Sequence, residues 1–541
     1  MKKRQWMHAA AAVSAAALWG STSPALAAQA AGASAAPAVQ QEQQVAVDLA
    51  FDASAYKEQT LSIEGKKVKF RAYENIVYVR HPAAAAAQSM SIYIPSSYFE
   101  KGGEVNGYTA KTAPIFLPNG VGGYMPGSIA APSADDERSG GANASLVALS
   151  RGCVVAAPAI RGRTTTDEAG AYVGKAPALI VDYKAAVRYL RYNKDRLPAG
   201  DTEKIISDGT SAGGALSALL GATGNSPDYA PYLAAIGAAE ERDDIFASMD
   251  YCPITDLDHA DMAYEWIFSG VNEAHQRGAM PQLPQKAGEA PAQLPAFAGA
   301  QGSVVGRPEN APQEAADAVP LTAEERAASA ELKQAFPAYL NARSLKDAQG
   351  NALRLAADGT GSFADYIKSL YMASAQTALD AGEDLSDCGW LTVENGRVTS
   401  MDLGKYAAWA TRLKAAPAFD KFDLSSGEND EFGDSANAPK HFTAYSLAHS
   451  VKGTAMADAA IVHLMNPLNY IGKRGVTVAP YWRIRHGAKD RDTALAVPAI
   501  LALSLENAGK SVDFAVPWGK GHAGDYDLGE LFAWIDSICK K

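Results

Sequence analysis

The chain has 541 residues, 48% hydrophobic and 20% charged. That is the balance of a globular protein with room for one large domain carrying an insertion, or for two to three domains. Its 49 Lys and Arg against 60 Asp and Glu leave a net charge of −11, and no basic cluster follows the first residues, which makes nucleic acid a poor candidate partner. No apolar run after the N-terminus is long enough to anchor it in a membrane, and the four scattered cysteines, Cys153, Cys252, Cys388 and Cys539, have no zinc-site spacing.

Residues 1–27 have the three parts of an export signal in order. Lys2, Lys3 and Arg4 form a charged start, Ala9 to Trp19 a short apolar stretch, and Ala25-Leu26-Ala27 a small-x-small cleavage site. The mature protein is therefore expected to be secreted or periplasmic. Residues 28–47, rich in Ala, Gln and Ser, read as a flexible tether.

Two stretches with period two, Val68–Tyr73 and Met90–Pro95, predict antiparallel leading strands. Ala113–Pro118 predicts a short buried strand running into Asn119-Gly120-Val121-Gly122-Gly123-Tyr124-Met125. Cys153–Pro158 is a continuous apolar strand suited to a parallel sheet, and Leu179–Asn193 has helical spacing. Lys204–Asp208 predicts a buried strand and Ala215–Gly221 a helix, with Gly209-Thr210-Ser211-Ala212-Gly213-Gly214 between them. In that setting Gly-x-Ser-x-Gly is a nucleophile elbow: a strained serine at the top of a sheet, small neighbours that let strand and helix approach, and a helix N-terminus aimed at the reacting centre. In a chain with 47 glycines the pattern needs that setting to carry weight.

Another strand is predicted at Phe246–Pro253, so strand and helix alternate as in a parallel sheet covered on both faces. Between residues 272 and 466 the alternation fails. Its first part, 276–319, is rich in Pro, Ala, Gln and Gly, whereas Thr322–Phe336 and Phe363–Ala381 have helical spacing. The block reads as a lid domain inserted into the sheet, between a core part at 48–271 and another at 467–541. A strand is predicted at Val476–Ile484 and a helix at Thr493–Asn507, with Pro498 kinking it or in its first turn. The last strand is placed at Ser511–Val516 and the last helix at Leu528–Ile538. The fold class is α/β, an α/β-hydrolase fold with a mostly parallel sheet and a large inserted lid.

In this fold the triad runs Ser, acid, His along the chain. His522, last of nine histidines, follows the last strand between glycines and is the candidate base for Ser211. His486 reads as a strand-end residue. The acid is Asp490 or Asp492, both in the loop after the preceding strand, and spacing does not choose between them. The oxyanion donors are assigned to the backbone N–H groups of Ala212, after the nucleophile, and of Gly123 or a neighbour in the glycine-rich loop. Such chemistry requires no metal or organic cofactor.

Four stretches together resemble the bacterial tannases, which cleave galloyl esters: Asn119–Met125, Gly209–Gly214, Arg485-His486-Gly487-Ala488-Lys489-Asp490-Arg491-Asp492 and Gly521-His522-Ala523-Gly524-Asp525-Tyr526-Asp527. The resemblance runs from about residue 50 to the end. It implies a triad of Ser211, Asp490 and His522. It also implies that Lys414, Glu428 and Asp492 bind the phenolic hydroxyls of a small galloyl ester substrate. The chemistry agrees, because a phenol with a pKa near ~10 is a donor at neutral pH, two carboxylates accept from it and a lysine favours partial phenolate character. Thr210 and Gly521 stand where fungal tannases and related feruloyl esterases have a cysteine pair.

Three rival readings remain. A feruloyl or chlorogenate esterase would leave part of the Lys414, Glu428 and Asp492 set unpaired. A prolyl oligopeptidase-type peptidase would commonly carry a propeller, and no blade-length repeat is present. An inactive binding homologue would have no need of a complete triad.

Overall fold

The computed structural model describes residues 46–136, 141–275 and 318–540. The export signal, the tether as far as residue 45 and most of the Pro/Gln-rich stretch at 276–319 lie outside them. The compact unit begins at residue 46, slightly before the expected start of the core, and the Val47 N–H already donates to the Arg80 carbonyl at 3.0 Å.

One sheet of nine strands organises the unit. In chain order they are β1 (Lys57–Ile63), β2 (Lys66–Val77), β3 (Ser89–Pro95), β4 (Pro114–Pro118), β5 (Val154–Pro158), β6 (Asp201–Thr210), β7 (Ala247–Tyr251), β8 (Tyr481–Arg485) and β9 (Ser511–Ala515). Their spatial order is β1-β2-β3-β5-β4-β6-β7-β8-β9. The first three are antiparallel to their neighbours, and every pairing from β5 to β9 is parallel. This is the α/β-hydrolase arrangement. β2 alternates, burying Val68 and Phe70, because only one of its faces meets the core. β4, β5 and β7 are buried throughout, as strands covered on both faces must be.

Helices α1 (Ala144–Ser150), α2 (Ala178–Tyr192) and α3 (Ala212–Ala222) connect these strands. All of α3 is buried, and its glycines let it lie close to the sheet: a Cβ on Gly221 would sit 2.7 Å from the Trp482 ring on β8. The expected strand at Val476–Ile484 is shorter than its apolar run. Residues 476–480 instead bond outside the sheet, Thr477 N–H to the Gly224 carbonyl and Ala479 N–H to the Gly221 carbonyl at 2.8 Å each. Pro480, which has no N–H to give a ladder, precedes the first paired residue.

β7 and β8 are parallel neighbours, with Ala247 opposite Tyr481, although residues 252–480 separate them in the chain. The described part of that interval holds α4 (Leu257–Phe268), α5 (Ala323–Ala342), α6 (Ser362–Asp380), α7 (Leu403–Ala410), α8 (Gly427–Glu431) and a hairpin of Leu391–Glu394 with Arg397–Met401. None of these adds a strand to the large sheet. α5 opens on a capping box between Thr322 and Glu325 and passes through Pro337. Its Phe336 packs on Trp266 of α4 at 5.3 Å between ring centroids. Helices α9 (Ala496–Asn507) and α10 (Leu528–Cys539) close the chain, and Pro498 sits in the first turn of α9.

Candidate active site

β6 ends at Thr210 and α3 starts at Ala212, leaving Ser211 at φ +63°, ψ −122°, a conformation that only surrounding structure can impose on a serine. The neighbouring glycines show how. A Cβ on Gly209 would strike the Gly213 carbonyl, one on Gly213 would lie 2.5 Å from the Val121 carbonyl, and one on Gly214 would lie 2.5 Å from the Tyr251 carbonyl. The Ser211 N–H donates to Tyr251 of β7 at 2.9 Å. Buried Asn119 braces the turn from the other side, its amide donating to the carbonyls of Asp208 (2.9 Å) and Gly213 (3.0 Å).

His522, in the loop after β9, brings Nε2 to 2.7 Å from Ser211 Oγ. Its Nδ1 lies 2.8 Å from Asp490 Oδ2, in the loop after β8. Ser211, Asp490 and His522 are all buried. Of the two candidate acids, Asp490 is the one hydrogen-bonded to His522; Asp492 instead gives its N–H to Asp490 Oδ1 at 2.9 Å. Burial opposes the Asp490 charge, but His522, His486 and that N–H outweigh it and hold the carboxyl at about 2. Burial likewise opposes a charge on His522, and the neighbouring Asp490 carboxylate, with smaller help from Cys252 and Asp492, still raises its proton affinity well above that of a free imidazole. His486 directly follows β8, as expected of a strand-end residue. It is fully buried, its Nδ1 lies 3.6 Å from Asp490 Oδ2, and burial lowers its pKa.

The loop with Gly123 reaches the elbow through the Asn119 and Val121 contacts. Gly123 and Tyr124 both have positive φ, and among the described residues neither the Gly123 N–H nor the Ala212 N–H has a hydrogen-bond acceptor. Arg163 holds the loop from behind: its Nε donates to the Gly123 carbonyl at 3.0 Å and its Nη1 to Asp430 Oδ2 at 2.6 Å. Asp430 also pairs with Lys175 at 2.5 Å.

Glu428 shares α8 with Asp430, and its charge is felt at Tyr124, next to Gly123. Burial first, then the carboxylates of Glu428 and Glu431, push the Tyr124 phenol up. Lys414 Nζ lies 4.0 Å from the centre of the Phe419 ring. Its backbone is fixed by two buried groups: the Arg412 guanidinium, paired with Glu265 at 2.5 Å, donates to the Lys414 carbonyl at 2.7 Å. The Tyr264 hydroxyl accepts the Lys414 N–H at 3.3 Å and donates to the Arg491 carbonyl, next to Asp492, at 2.9 Å. The polar residues expected to bind substrate thus come from the insertion and from the acid loop.

Arg163, Asn119 and Cys252 are parts of the site that sequence reasoning passed over. Asn119 begins the glycine-rich loop, a signal that could have been weighed; Arg163 stands in Arg161-Gly162-Arg163, which offers none.

A model of the BD-FAE family matches residues 146–287. Among solved structures, the chain is similar to a native tannin acyl hydrolase from Lactobacillus plantarum, 44% identical over 91% of this chain and 99% of that one, with a TM-score of 0.80. A tannase from Fusobacterium nucleatum is 47% identical over 91% of this chain and 100% of that one, TM-score 0.83. A tannin acyl hydrolase in complex with ethyl gallate is 44% identical over 91% and 99%, TM-score 0.79. A search of curated proteins finds no match.

Proposed function

The chain belongs to the tannases, and on that premise we propose that it hydrolyses galloyl esters, releasing gallic acid through an acyl-enzyme on Ser211. One observation carries the reading: a strained serine at the end of β6 hydrogen-bonded to His522, and through it to Asp490, at 2.7 and 2.8 Å.

His522 Nε2 takes the Ser211 proton as Oγ attacks the ester carbonyl carbon. Asp490 accepts the Nδ1–H, fixing the tautomer and stabilising the imidazolium. The negative charge that develops on the carbonyl oxygen is met by the N–H groups of Ala212 and Gly123, the first of them on the positive end of α3. The alcohol leaves with the proton from His522. Water, deprotonated by the same imidazole, then attacks the acyl-enzyme and frees gallate and Ser211. Glu428 and Asp492 accept from the galloyl hydroxyls, and Lys414 favours partial phenolate character.

The test is acid release from methyl gallate and methyl ferulate by wild type and Ser211→Ala. Hydrolysis of the gallate ester alone, abolished in the variant, is expected. Preference for ferulate would keep the triad and overturn the roles of Lys414, Glu428 and Asp492.

We also propose that the protein is exported, on the charged, apolar and small-x-small segments of residues 1–27. N-terminal sequencing of protein from the producing cell should start at Ala28; a start at Met1 would overturn this.

A further inference from the structure

We infer that Cys252, Asp490 and His522 form a binding site for a thiophilic divalent cation, zinc or cadmium, whose occupation switches the enzyme off. A Cys252 Sγ, an Asp490 carboxylate oxygen and a His522 ring nitrogen lie within 4.8 Å of one another, all buried. They come from the ends of three adjacent strands, so the sheet holds the set together. Cys252 directly follows β7. Its N–H donates to the Arg485 carbonyl at 2.6 Å, and its thiol points at the Ala523 carbonyl, next to His522, at 3.5 Å.

Thiolate, imidazole and carboxylate are the ligand types of zinc and cadmium, while magnesium and calcium favour all-oxygen sets. Tetrahedral bonds of zinc length place ligand atoms about 3.5 Å apart, so from separations of at most 4.8 Å no pair needs to close by more than about 1.3 Å, and the 2.8 Å pair of His522 Nδ1 and Asp490 Oδ2 opens slightly. The other neighbouring set, Asp256, Asp258 and His259, is occupied differently: Asn466 donates to both carboxylates and the Tyr339 hydroxyl to Asp256.

The proton balance explains the switch. On binding, the Cys252 thiol gives its proton to solvent. If the metal takes His522 Nδ1, the ring proton moves to Nε2, which can no longer accept from Ser211. If it takes Nε2, it displaces the Ser211 hydroxyl itself. Either position removes the general base. Silencing of the enzyme rests on the proposed role of His522; binding of the cation does not.

The test uses chelator-treated protein titrated with zinc chloride, with magnesium chloride as control. By calorimetry, Ser211→Ala is expected to bind about one equivalent of zinc that Cys252→Ser and His522→Gln both lose. In the methyl gallate assay, zinc inhibits wild type, EDTA restores it, and magnesium has no effect. Cys252→Ser, measured against its own metal-free rate, needs about tenfold more zinc or higher for the same fractional inhibition. The inference is overturned if both variants bind zinc as Ser211→Ala does, or if Cys252→Ser is inhibited at the wild-type zinc concentration. Should Ser211→Ala remain active, the esterase mechanism falls while the zinc equivalent stands.

Discussion

At Ser211 the protein holds a conformation that costs on the order of 1–3 kcal/mol, so the fold, rather than the serine, decides where the hydroxyl points. Asp490 does the same for the imidazole. Asp490→Asn should lower kcat by roughly 10³–10⁴, because an amide supports the wrong tautomer. The sign of its pH effect also follows. As the proposed base, His522 must be neutral to take the proton, so activity should rise with pH through its pKa, and Asp490 is the main charge raising that pKa. Without that charge the acidic limb of kcat/KM should move to lower pH. A limb that stayed in place would mean that Asp490 does not face the working histidine. Asp492→Asn and Glu428→Gln are expected to raise KM for methyl gallate about 10- to 100-fold and to leave methyl benzoate little changed, as measured by initial rates on both esters. The glycine-flanked turn between strand and helix marks Ser211 in the sequence, and chain order marks His522 after the last strand. The choice between Asp490 and Asp492 was not legible from spacing, because both stand in one short loop and only its three-dimensional path decides which carboxyl meets Nδ1.

The elements around the site act as one piece because they are tied across long sequence separations. Arg163 joins the Gly123 loop to α8, the short helix that carries Glu428. Arg163→Ala should therefore lower kcat and raise KM together, by about tenfold each, and Asp430→Asn should add little on top of it. A double-mutant cycle with a coupling of about 0.5–3 kcal/mol is the expected result, and additive effects would disprove the link. Gly213→Ala should cost more than about 2 kcal/mol in stability, read from its denaturation midpoint, since the new methyl meets backbone at 2.5 Å. Strand and helix periods made most of the sheet and helices readable. The Arg163 tie was not, because no local pattern marks an arginine whose partner lies 267 positions away. The overlong strand at Val476–Ile484 had a simpler cause: buried apolar residues in a loop look the same, in sequence, as those in a strand.

Among the described residues, several carboxyls are buried so deeply that the cations near them do not offset the cost of a charge. Burial drives Asp208, Asp250 and Glu431 well above the usual carboxylate range and Asp261 to about 7. A carboxyl whose folded pKa lies above its unfolded value of about 4 adds stability at low pH and loses it as pH rises through the folded value. Asp490, held at about 2, acts oppositely and loses its contribution only below pH ~4. The melting temperature should therefore fall by several degrees between pH 5 and pH 8, as differential scanning calorimetry would register. A flat profile would mean that these carboxyls gain partners on ionising.

The placement of β8 beside β7 also has a consequence in time. The ribosome finishes β7 at Tyr251 and must make residues 252–480 before its neighbour Tyr481 exists. At ~5–20 residues per second that stretch takes roughly 10–45 s to make, and a sheet formed on the ribosome would wait that long with one parallel edge open. A growing chain in that state offers unpaired backbone to any other strand it meets. A chaperone or the export machinery that occupies this edge during synthesis would set how much of the enzyme matures.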